Sequence, residues 1–455
     1  MRKYFGTDGI RRIANTELTP IFVYKVAKAG AYVLSKHIGG ETPTILIGKD
    51  TRLSGSLIES AMTAGFLSFG ANVISLDVMP TPEVAFLTKK LNLAASVVIS
   101  ASHNTYEFNG IKFFSNKGMK IPDELEEEIE EVIDSGLIDN LNAKCDKIGV
   151  SSLGLELEEK YVDFFIENFG KRIKDNLNKD FKVVIDTANG ATYKVAEKIF
   201  KKLEINYHII HNSPNGININ ENCGSTHLED LKRYVIENNM DLGIAYDGDG
   251  DRCLAVDDTG NIVDGDKIIA IFAKYLKEKE QLKNNTFVAT VMSNIGLSKF
   301  ARENNIEFVK TKVGDRYVLE EMLKNGYNLG GEQSGHIIML DYNPTGDGIL
   351  TSIMLISILL EKNVSLSELS KIVTIYPQVL INAKVNSDKK EKYKEDVEIN
   401  RLIEETENSL KNSGRVLIRP SGTEPLVRVM IEGENIQYIT EKAKEIASLI
   451  EEKSK

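Results

Sequence analysis

Cysteine is scarce in this chain of 455 residues, which contains three, at Cys145, Cys223 and Cys253. They are odd in number and far apart, and their spacing matches no known type of metal site. This scarcity argues against a disulfide framework and predicts a protein of the reducing cytoplasm.

Long apolar segments and an excess of positive charge are also missing. The first residues, Met1–Gly6, hold no apolar signal core. The longest apolar run, Ile349–Leu360, is too short to span a bilayer and predicts a buried helix. The net charge of -11 argues against nucleic acid and anionic membranes as partners. The net charge does not exclude a small anionic ligand, because a local cluster of Arg and Lys can be positive in a chain that is negative overall.

The composition is that of a globular chain able to bury large cores, with 42% hydrophobic and 27% charged residues. Two stretches stand out by their charge. The acidic run Asp123–Glu131 is predicted to be the solvated face of a helix, and Asn386–Asp396 a solvated linker or loop.

Segments typical of strands and helices alternate along most of the chain, which predicts α/β units. Thr44–Gly48 has the pattern of a strand and Ser56–Phe69 that of a helix, and this order recurs from Lys182 and from Thr286. From about Val379 the pattern favours a smaller α+β arrangement. We predict three tandem, related α/β domains with mixed sheets and a smaller C-terminal α+β domain around a central cleft. Their predicted boundaries are 1–152, 153–258, 259–372 and 373–455.

A serine stands where a predicted buried strand ends. Val97–Ala101 is the strand, and Ser102, His103 and Asn104 follow it directly, with Lys112 nearby in the sequence. Chemistry is commonly placed on loops at the ends of elements, so Ser102 is a candidate phosphate carrier. From these residues alone, the alternative is a helix N-cap or a turn serine.

Three aspartates alternate with glycines directly after the predicted strand Leu242–Tyr246, at Asp247, Asp249 and Asp251. Glycine removes side-chain bulk and permits unusual backbone angles, so the three carboxylates can aim at one point. Oxygen ligands select a hard cation such as Mg²⁺. An EF-hand fails because the loop lacks its glycine at position 6 and its glutamate at position 12. A solvated acidic turn is the remaining alternative.

A third segment is rich in glycine and contains Glu332, Ser334 and His336. Such donors and acceptors suit a loop that grips several sugar-type hydroxyls. His336 is a candidate for acid–base work, and a structural histidine is the alternative. The run Thr311–Arg316 ends a strand and could form the facing loop, or be a plain turn into a helix capped by Asp315.

A fourth segment, Arg419–Pro425, places Ser421, Gly422 and Thr423 in a turn, with Arg428 shortly after it. Backbone N–H groups and hydroxyls in such a turn, with arginine beside them, bind phosphate dianions. A simple β-turn is the alternative, but it leaves the framing arginines unexplained.

The start of the chain supplies a fifth segment, Gly6–Arg11, which by itself reads as a turn. Its Arg11 would take part in chemistry only if the fold brings an anionic centre close to it.

Together these segments resemble the α-D-phosphohexomutase superfamily over essentially the whole chain, with one main motif in each predicted domain. The resemblance is strongest to the bacterial phosphoglucosamine mutase branch, because the phosphomannomutase/phosphoglucomutase branch usually differs where Gln333 stands and in its C-terminal phosphate loop. The motifs that carry it are Phe5–Arg11, Ser100–Asn104, Gly331–His336 and Arg419–Pro425, with Gly314–Val318 in support.

The resemblance implies an isomerase that interconverts glucosamine 6-phosphate and glucosamine 1-phosphate on the route to UDP-N-acetylglucosamine. The reaction would pass through a phosphoserine enzyme and a 1,6-bisphosphate, with glucosamine 1,6-bisphosphate or a related hexose bisphosphate as intermediate or activator. Ser102 would carry the phosphate, and that phosphate with Asp247, Asp249 and Asp251 would hold one Mg²⁺. A homodimer in the cytoplasm is a further expectation.

The remaining implied roles fall into three groups around the substrate. Lys112, Arg11 and His336 would surround the reacting centre, with His336 or Lys112 as the acid–base group. The sugar would be bound by Glu332, Ser334 and Asp315, and the non-reacting phosphate by Arg419, Ser421, Gly422, Thr423 and Arg428.

Three positions depart from the family pattern. Thr105 stands where proline is common, Phe108 where an acidic residue is usual, and Arg12 where glycine is common. None of them removes a reacting group, so they bear on loop conformation rather than on activity. The open alternatives are a phosphoglucomutase/phosphomannomutase, a Mg²⁺-dependent sugar phosphatase and a non-catalytic sugar-phosphate sensor.

Overall fold

The computed structural model describes residues 3–6, 8–38, 43–386, 389–411, 413–421 and 425–454. The chain divides into two compact units. One consists of Met1–Met292 and Ile306–Lys371, and the other of Ser293–Asn305 and Ile372–Lys455.

The first sheet of the larger unit is mixed and has six strands in the order β1-β5-β4-β2-β3-β6. Only β5 runs against its neighbours, β4 and β1, while β2 pairs in parallel with β3 and β4. The strands are β1 (Ile10–Ile13), β2 (Thr44–Lys49), β3 (Asn72–Val78), β4 (Ala95–Ile99), β5 (Phe108–Ser115) and β6 (Ser151–Leu153). The helices are Pro20–Ile38, Gly55–Phe69, Thr81–Lys90 and Asp123–Asp134.

The second and third sheets repeat this plan with fewer strands, in the orders β11-β10-β9-β7-β8 and β13-β12-β14-β15. The second contains β7 (Lys182–Asp186), β8 (Asn206–Ile210), β9 (Leu242–Tyr246), β10 (Cys253–Asp257) and β11 (Ile262–Val263). The third contains β12 (Thr286–Thr290), β13 (Glu307–Thr311), β14 (Leu329–Gly331) and β15 (Ile337–Met339). The helices are Glu158–Phe165, Lys171–Asn176, Val195–Lys202, Glu229–Glu237, Gly265–Glu278, Asp315–Asn325, Gly348–Lys362 and Leu366–Leu369.

The central strands explain why the site forms where it does. Strands such as β4 and β9 are buried at every residue, so their sequences are nearly continuous apolar runs, as expected for strands covered on both faces. The polar residues Ser102 and Asp247 stand just beyond their carboxyl ends. Ligand sites of open α/β sheets lie at this edge.

The apolar run 349–360 forms a buried helix, which confirms the prediction from the sequence. The helix spans Gly348–Lys362, and its residues are buried from Gly348 to Leu360. Asp347 caps its start by accepting a hydrogen bond from the Leu350 N–H at 2.9 Å. In the described part of the chain no single helix is long and apolar enough to cross a membrane, and only the bent pair Gly348–Lys362 and Leu366–Ile372 passes that test jointly.

The acidic run is a helix, Asp123–Asp134, but the prediction that its acids are solvated is wrong for two of them. Glu126 and Glu130 are buried. The Glu130 carboxylate accepts hydrogen bonds from the backbone N–H groups of Lys3 (2.7 Å), Tyr4 (2.6 Å) and Phe5 (2.7 Å). This acid therefore anchors the start of the chain, because a buried carboxylate needs donors.

The smaller unit has one antiparallel sheet in the order β16-β18-β17, with strands β16 (Gln378–Lys384), β17 (Gly414–Pro420) and β18 (Leu426–Gly433). Its helices are Ile295–Glu303, Val397–Leu410 and Ile436–Lys453. The buried Glu432 carboxylate joins the Ser293–Asn305 segment to the sheet, since it accepts from Ile295 N at 3.0 Å and from Arg415 Nε at 2.6 Å.

The charged stretch 386–396 is only partly the solvated loop that its composition predicts. Residues 387 and 388 lie outside the described chain. Tyr393 is buried, and its hydroxyl donates to the Ile418 carbonyl at 3.2 Å. One aromatic residue therefore ties this loop to the sheet.

Candidate active site

Ser102 lies in a tight turn after β4 and is 1% exposed. Its hydroxyl donates to Asp247 Oδ2 at 2.6 Å, and its N–H donates to Ser100 Oγ at 2.9 Å. Its φ of +51° lies in the left-handed region, which is uncommon for residues other than glycine and concentrates at functional sites. No helix begins here among the described elements, so the N-cap alternative is wrong, and the turn presents its hydroxyl to a carboxylate.

The three aspartates of the loop after β9 converge, as the alternation with glycine predicts. Asp247, Asp249 and Asp251 are buried, and one carboxylate oxygen of each lies within 4.8 Å of the others. Gly250 has a φ of +74°. A Cβ at Gly248 would stand 2.6 Å from the Ser102 carbonyl oxygen, so only glycine lets the two loops approach this closely.

These carboxylates fit a divalent cation. Among the described residues, Asp249 Oδ1 and Asp251 Oδ1 are buried and accept no hydrogen bond. Burial and the neighbouring Asp251 and Asp249 carboxylates raise the pKa of Asp247 well above its ordinary value. A cation bound among the three carboxylates would offset this mutual repulsion, and a set of hard oxygen donors favours Mg²⁺.

Around this cluster the described side chains form a closed ring in which carboxylates alternate with Lys112, Lys120 and His336. Lys112 Nζ lies 2.9 Å from Asp249, 3.1 Å from Asp8 and 3.8 Å from Asp251. Lys120 Nζ pairs with Asp8 and, at 2.6 Å, with Asp315. His336 completes the circle, 3.6 Å from both Asp315 and Asp251. The members of this charge ring are Lys112, Asp8, Lys120, Asp315, His336 and Asp251, and Asp249 joins it through Lys112.

The pKa values follow from this alternation. Burial by itself would lower the pKa of Lys112, but the Asp249, Asp8 and Asp251 carboxylates raise it above its ordinary value. Burial opposes ionisation of Asp8 as well, yet Lys112, Lys120 and Arg11 hold its pKa well below the usual range. Both groups therefore stay charged at neutral pH.

His336 is buried, and its pKa responds to the same neighbours. Burial lowers the pKa, while the Asp251 and Asp315 carboxylates raise it, and the net shift is upward. The Gly346 N–H donates to His336 Nε2 at 3.1 Å. This bond places the proton of the neutral ring on Nδ1, the nitrogen that faces Asp251.

A cavity of about 580 Å³ opens beside the ring within the larger unit. It is lined by four residues that were predicted as site residues, Arg11, Asp315, Glu332 and His336. Arg11 Nη2 pairs with Asp8 at 2.7 Å and its Nη1 donates to Asn104 Oδ1 at 2.7 Å, so the start of the chain does meet an anionic centre.

The predicted sugar-binding loop lies at this cavity, although its members differ in their surroundings. Glu332 Oε1 accepts a hydrogen bond from the Gly314 N–H at 3.1 Å, which joins the two predicted facing loops. Ser334 is not among the lining residues, and its buried Oγ has no hydrogen-bond partner in the described chain. Asp315 begins the helix Asp315–Asn325, where Gly314 rather than Asp315 stands at the cap position, without a side-chain capping bond.

The sequence did not single out four side chains that also line the cavity: Asp8, Lys120, His103 and Arg252. Burial and the positive charges of Arg252 and Arg11 lower the pKa of His103 to about 4, so its ring is neutral at neutral pH. Asp8 and His103 belong to the motifs Phe5–Arg11 and Ser100–Asn104, and Arg252 directly follows the aspartate loop, whereas Lys120 belongs to no motif and no signal pointed to it.

The predicted phosphate-binding residues belong to the smaller unit. Arg419 on β17 and Arg428 on β18 are direct cross-strand partners. Burial and the charge of Arg428 lower the pKa of Arg419. Ser421 is buried, and its N–H donates to the Leu426 carbonyl at 2.8 Å. Gly422 and Thr423 lie outside the described residues.

A second potential ligand cluster joins Asp186, His211 and Cys223, which the sequence spacing did not connect. His211 Nδ1 and Asp186 Oδ2 are 2.9 Å apart, in hydrogen-bond contact. Asp186 also accepts from the N–H groups of Ala188 (2.8 Å) and Gly224 (2.9 Å). These bonds give Asp186 a structural role at the end of β7.

The fold and the site define a class of protein, and comparison with known families identifies it. The four domains described as phosphoglucomutase/phosphomannomutase match this chain in order: α/β/α domain I at 2–137, α/β/α domain II at 159–260, α/β/α domain III at 264–376 and the C-terminal domain at 380–449. The chain belongs to the phosphoglucomutase/phosphomannomutase family, which confirms the resemblance and the predicted fold class.

Within that family, two bacterial relatives illustrate the similarity over the full length. Proteins named phosphoglucosamine mutase from Clostridium tetani and Clostridium beijerinckii are 52% and 53% identical to this chain, each over 100% of both chains.

Solved structures share the fold at much lower identity. A putative phosphomannomutase from Thermus thermophilus has a TM-score of 0.80 at 22% identity, covering 99% of this chain and 100% of that chain. The Aspergillus fumigatus N-acetylphosphoglucosamine mutase in complex with GlcNAc-6P and magnesium has a TM-score of 0.71 at 15% identity, covering 100% and 96%.

Proposed function

We propose that this protein is an isomerase that interconverts glucosamine 6-phosphate and glucosamine 1-phosphate, with Ser102 as its phosphate carrier. One observation carries the proposal. The Ser102 hydroxyl lies 2.6 Å from Asp247, inside a buried aspartate triad, in a chain at least 52% identical over its full length to proteins named phosphoglucosamine mutase.

The metal-binding role falls to the triad. One Mg²⁺ would be held by the carboxylates of Asp247, Asp249 and Asp251 together with an oxygen of the phosphate on Ser102. When bound, the ion would neutralise charge on the transferring phosphoryl group. The two unpartnered carboxylate oxygens support this assignment, because buried acceptors without donors are otherwise costly.

The first half-reaction moves a phosphoryl group from the enzyme to the sugar. The free sugar hydroxyl gives up its proton as its oxygen forms a bond to phosphorus. The bond between phosphorus and Ser102 Oγ breaks, Oγ keeps the electron pair, and the proton released by the sugar hydroxyl ends on Oγ. The product is a hexosamine 1,6-bisphosphate.

The second half-reaction returns a phosphoryl group to Ser102 after the bisphosphate has turned over. The Ser102 hydroxyl gives up its proton as Oγ bonds to the other phosphorus, the bond from that phosphorus to the sugar oxygen breaks, and the released proton ends on that sugar oxygen. One phosphate has changed position and none is lost to water.

Lys112 serves this chemistry as a fixed positive charge. Its raised pKa keeps it protonated, so it brings a positive charge to the reacting centre. His336 and Lys112 stay the two candidates for the acid–base group. With Arg11, Lys112 would offset charge on the transferring group. Catalysis of phosphoryl transfer consists mainly of positioning and such charge stabilisation.

The remaining side chains would hold the two ends of the substrate. Glu332 and Asp315, which line the cavity, would bind sugar hydroxyls, and their carboxylates would also face the ammonium group of glucosamine. For Ser334, whose buried Oγ does not line the cavity, the same role stays a prediction. Arg419, Ser421, Gly422, Thr423 and Arg428 would hold the non-reacting phosphate, since arginine recognises phosphate through paired hydrogen bonds.

The proposal is tested by intact-mass spectrometry together with rates on glucosamine, glucose and mannose phosphates, for the wild type and for Ser102→Ala. We expect a phosphorylated fraction in the wild type alone, the highest rate on glucosamine phosphate, and a loss of at least about 10³-fold in the variant. A faster rate on glucose or mannose phosphate would make the protein a phosphoglucomutase/phosphomannomutase. Steady release of inorganic phosphate would make it a phosphatase, and binding without turnover a sensor.

Several expectations from the sequence stay predictions. They are the domain boundaries, the homodimer, the cytoplasmic location and the absence of nucleic-acid and membrane partners.

A further inference from the structure

Two side chains from outside the Ser102 turn hold its backbone. Arg52 Nη2 donates to the carbonyl oxygens of Ser102 (3.0 Å) and Asn104 (2.8 Å), and Arg52 Nη1 donates to the Thr105 carbonyl. Asn220 Nδ2 donates to the same Ser102 and Asn104 carbonyls, at 2.9 Å each. Both carbonyls therefore accept two hydrogen bonds, one from each side chain.

Arg52 is itself fixed by buried partners. It is 3% exposed, and its Nε donates to Asp50 Oδ2 at 2.9 Å. That carboxylate oxygen also accepts from Ser100 Oγ at 2.5 Å, and Ser100 Oγ in turn accepts from the Ser102 N–H. The hydrogen bonds thus form a circuit that begins and ends at Ser102.

Asn220 reaches the turn from the other side, from the loop that follows β8. It is 4% exposed, and its backbone N–H donates to the Ala188 carbonyl at 2.9 Å. A Cβ at Gly248 would stand 2.7 Å from Asn220 Nδ2, so this amide packs against the metal-binding loop as well. Asn220 therefore fixes the serine relative to the aspartates.

The turn needs such support because Ser102 adopts a left-handed backbone conformation. L-residues rarely adopt it, and it persists only where the surroundings impose it. The contacts from Arg52 and Asn220 go to backbone carbonyls, so they do not depend on whether the hydroxyl carries a phosphate. The hydrogen bond from Ser102 Oγ to Asp247, by contrast, uses the oxygen that is phosphorylated.

We propose that Arg52 and Asn220 are positioning residues that keep the Ser102 hydroxyl aimed at the triad through both half-reactions. This inference rests on the proposed function, in which Ser102 gives up and regains a phosphoryl group in each cycle. It assigns neither residue a contact with substrate or with the transferring group.

The test compares Asn220→Ala and Asn220→Asp with the same changes at Asn222. Asn222 is exposed, and both residues are left-handed, with a φ of +58° at Asn220 and +52° at Asn222, so alanine carries the same backbone penalty at both positions. Three quantities are measured: kcat and KM for glucosamine 6-phosphate, loading of Ser102 from glucose 1,6-bisphosphate by intact mass, and discharge of the loaded enzyme by glucosamine 6-phosphate. A second variant is Arg52→Lys, which keeps the positive charge but loses the paired N–H donors of the guanidinium group.

We expect both Asn220 variants to lower kcat by about 10- to 100-fold, because a small displacement of a reacting group costs this much. KM should stay within about twofold, loading and discharge should slow by the same factor, and the Asn222 variants should match the wild type. Equal kcat in the Asn220 and Asn222 variants would overturn the proposal, as would a change in KM alone or a slowing of only one half-reaction. If the wild type loads Ser102 but does not isomerise glucosamine 6-phosphate, the proposed substrate fails, while the loading rates still test the two positioning residues.

Discussion

The loop Asp247–Asp251 and the strand pair β17–β18 both concentrate charge of one sign, but they hold it in different ways. The aspartates are buried and face Lys112, Arg252 and His336. Arg419 and Arg428 are half-buried and lie directly opposite each other across two strands. In both places the pKa of one group shifts so that its neutral form is favoured: the pKa of Asp247 is raised and that of Arg419 is lowered. The buried cluster has cations built in beside it, whereas on the strand pair two like charges face each other at half-buried positions.

The largest effect is expected at the buried cluster. Asp249→Asn keeps the size of the side chain but removes one ligand charge, so we expect activity to fall by at least about 10³-fold at saturating Mg²⁺. Initial rates on glucosamine 6-phosphate measure this, with the exposed Asp175→Asn as the matched control. Activity of Asp249→Asn within tenfold of the control would break the comparison, because the cluster would then not need its full charge.

The second-largest effect is expected at a lysine that neutralises the buried carboxylates. Lys120→Met leaves Asp8 and Asp315 facing each other without their shared ammonium group, and their negative charge would then repel the substrate phosphates. We expect kcat/KM to fall by about 100-fold, with the exposed Lys117→Met close to the wild type. An unchanged kcat/KM would show that the charge ring serves stability alone.

A smaller effect is expected at the arginine pair. Arg428→Ala removes one phosphate donor but relieves the repulsion of Arg419, so substrate binding should weaken while the unliganded unit stays folded. We expect KM to rise by about 10-fold and kcat to change by less than about threefold. Arg401→Ala on an exposed helix position serves as the control. A KM equal to that of the control would contradict the phosphate-binding role.

The smallest effect concerns a buried acid that has no built-in cation. Glu83 is fully buried, neither carboxylate oxygen has a hydrogen-bond partner in the described chain, and burial followed by the charges of Glu158 and Asp347 raises its pKa well above the ordinary value. Above the pKa of an unfolded glutamate, the unfolded chain ionises while the folded chain keeps its proton. Stability is therefore lost as pH rises.

Glu83→Gln removes this penalty without changing the shape of the side chain. We expect its Tm to exceed that of the wild type by about 1–3 °C at pH 8, and the two proteins to converge towards pH 4.5. Thermal unfolding across this range measures the difference, with the exposed Glu124→Gln as the control. A gap that is constant across pH would show that Glu83 is ionised in the folded protein.

Much of the fold could be predicted from the pattern of apolar residues in the sequence. The predicted strand Thr44–Gly48 is β2, and the predicted helix Ser56–Phe69 is Gly55–Phe69, because a continuous apolar run and a helical period are local properties. The acidic helix was the exception, since nothing in its sequence distinguishes the buried Glu130 from exposed neighbours such as Glu131. Only the start of the chain, which lies against that helix in the folded protein, supplies the donors that bury Glu130.

The sequence alone determined which kinds of chemistry the site can carry. The alternating aspartates and the serine after a buried strand predicted a cation site and a phosphate carrier, because these side chains allow few other kinds of chemistry. The tertiary structure decided their arrangement. It set the left-handed turn at Ser102, brought Lys120 between Asp8 and Asp315, and placed Arg52 and Asn220 on the same two carbonyls. Each of these contacts joins residues far apart in the chain, and the energy of such a contact depends on distances that no local pattern contains.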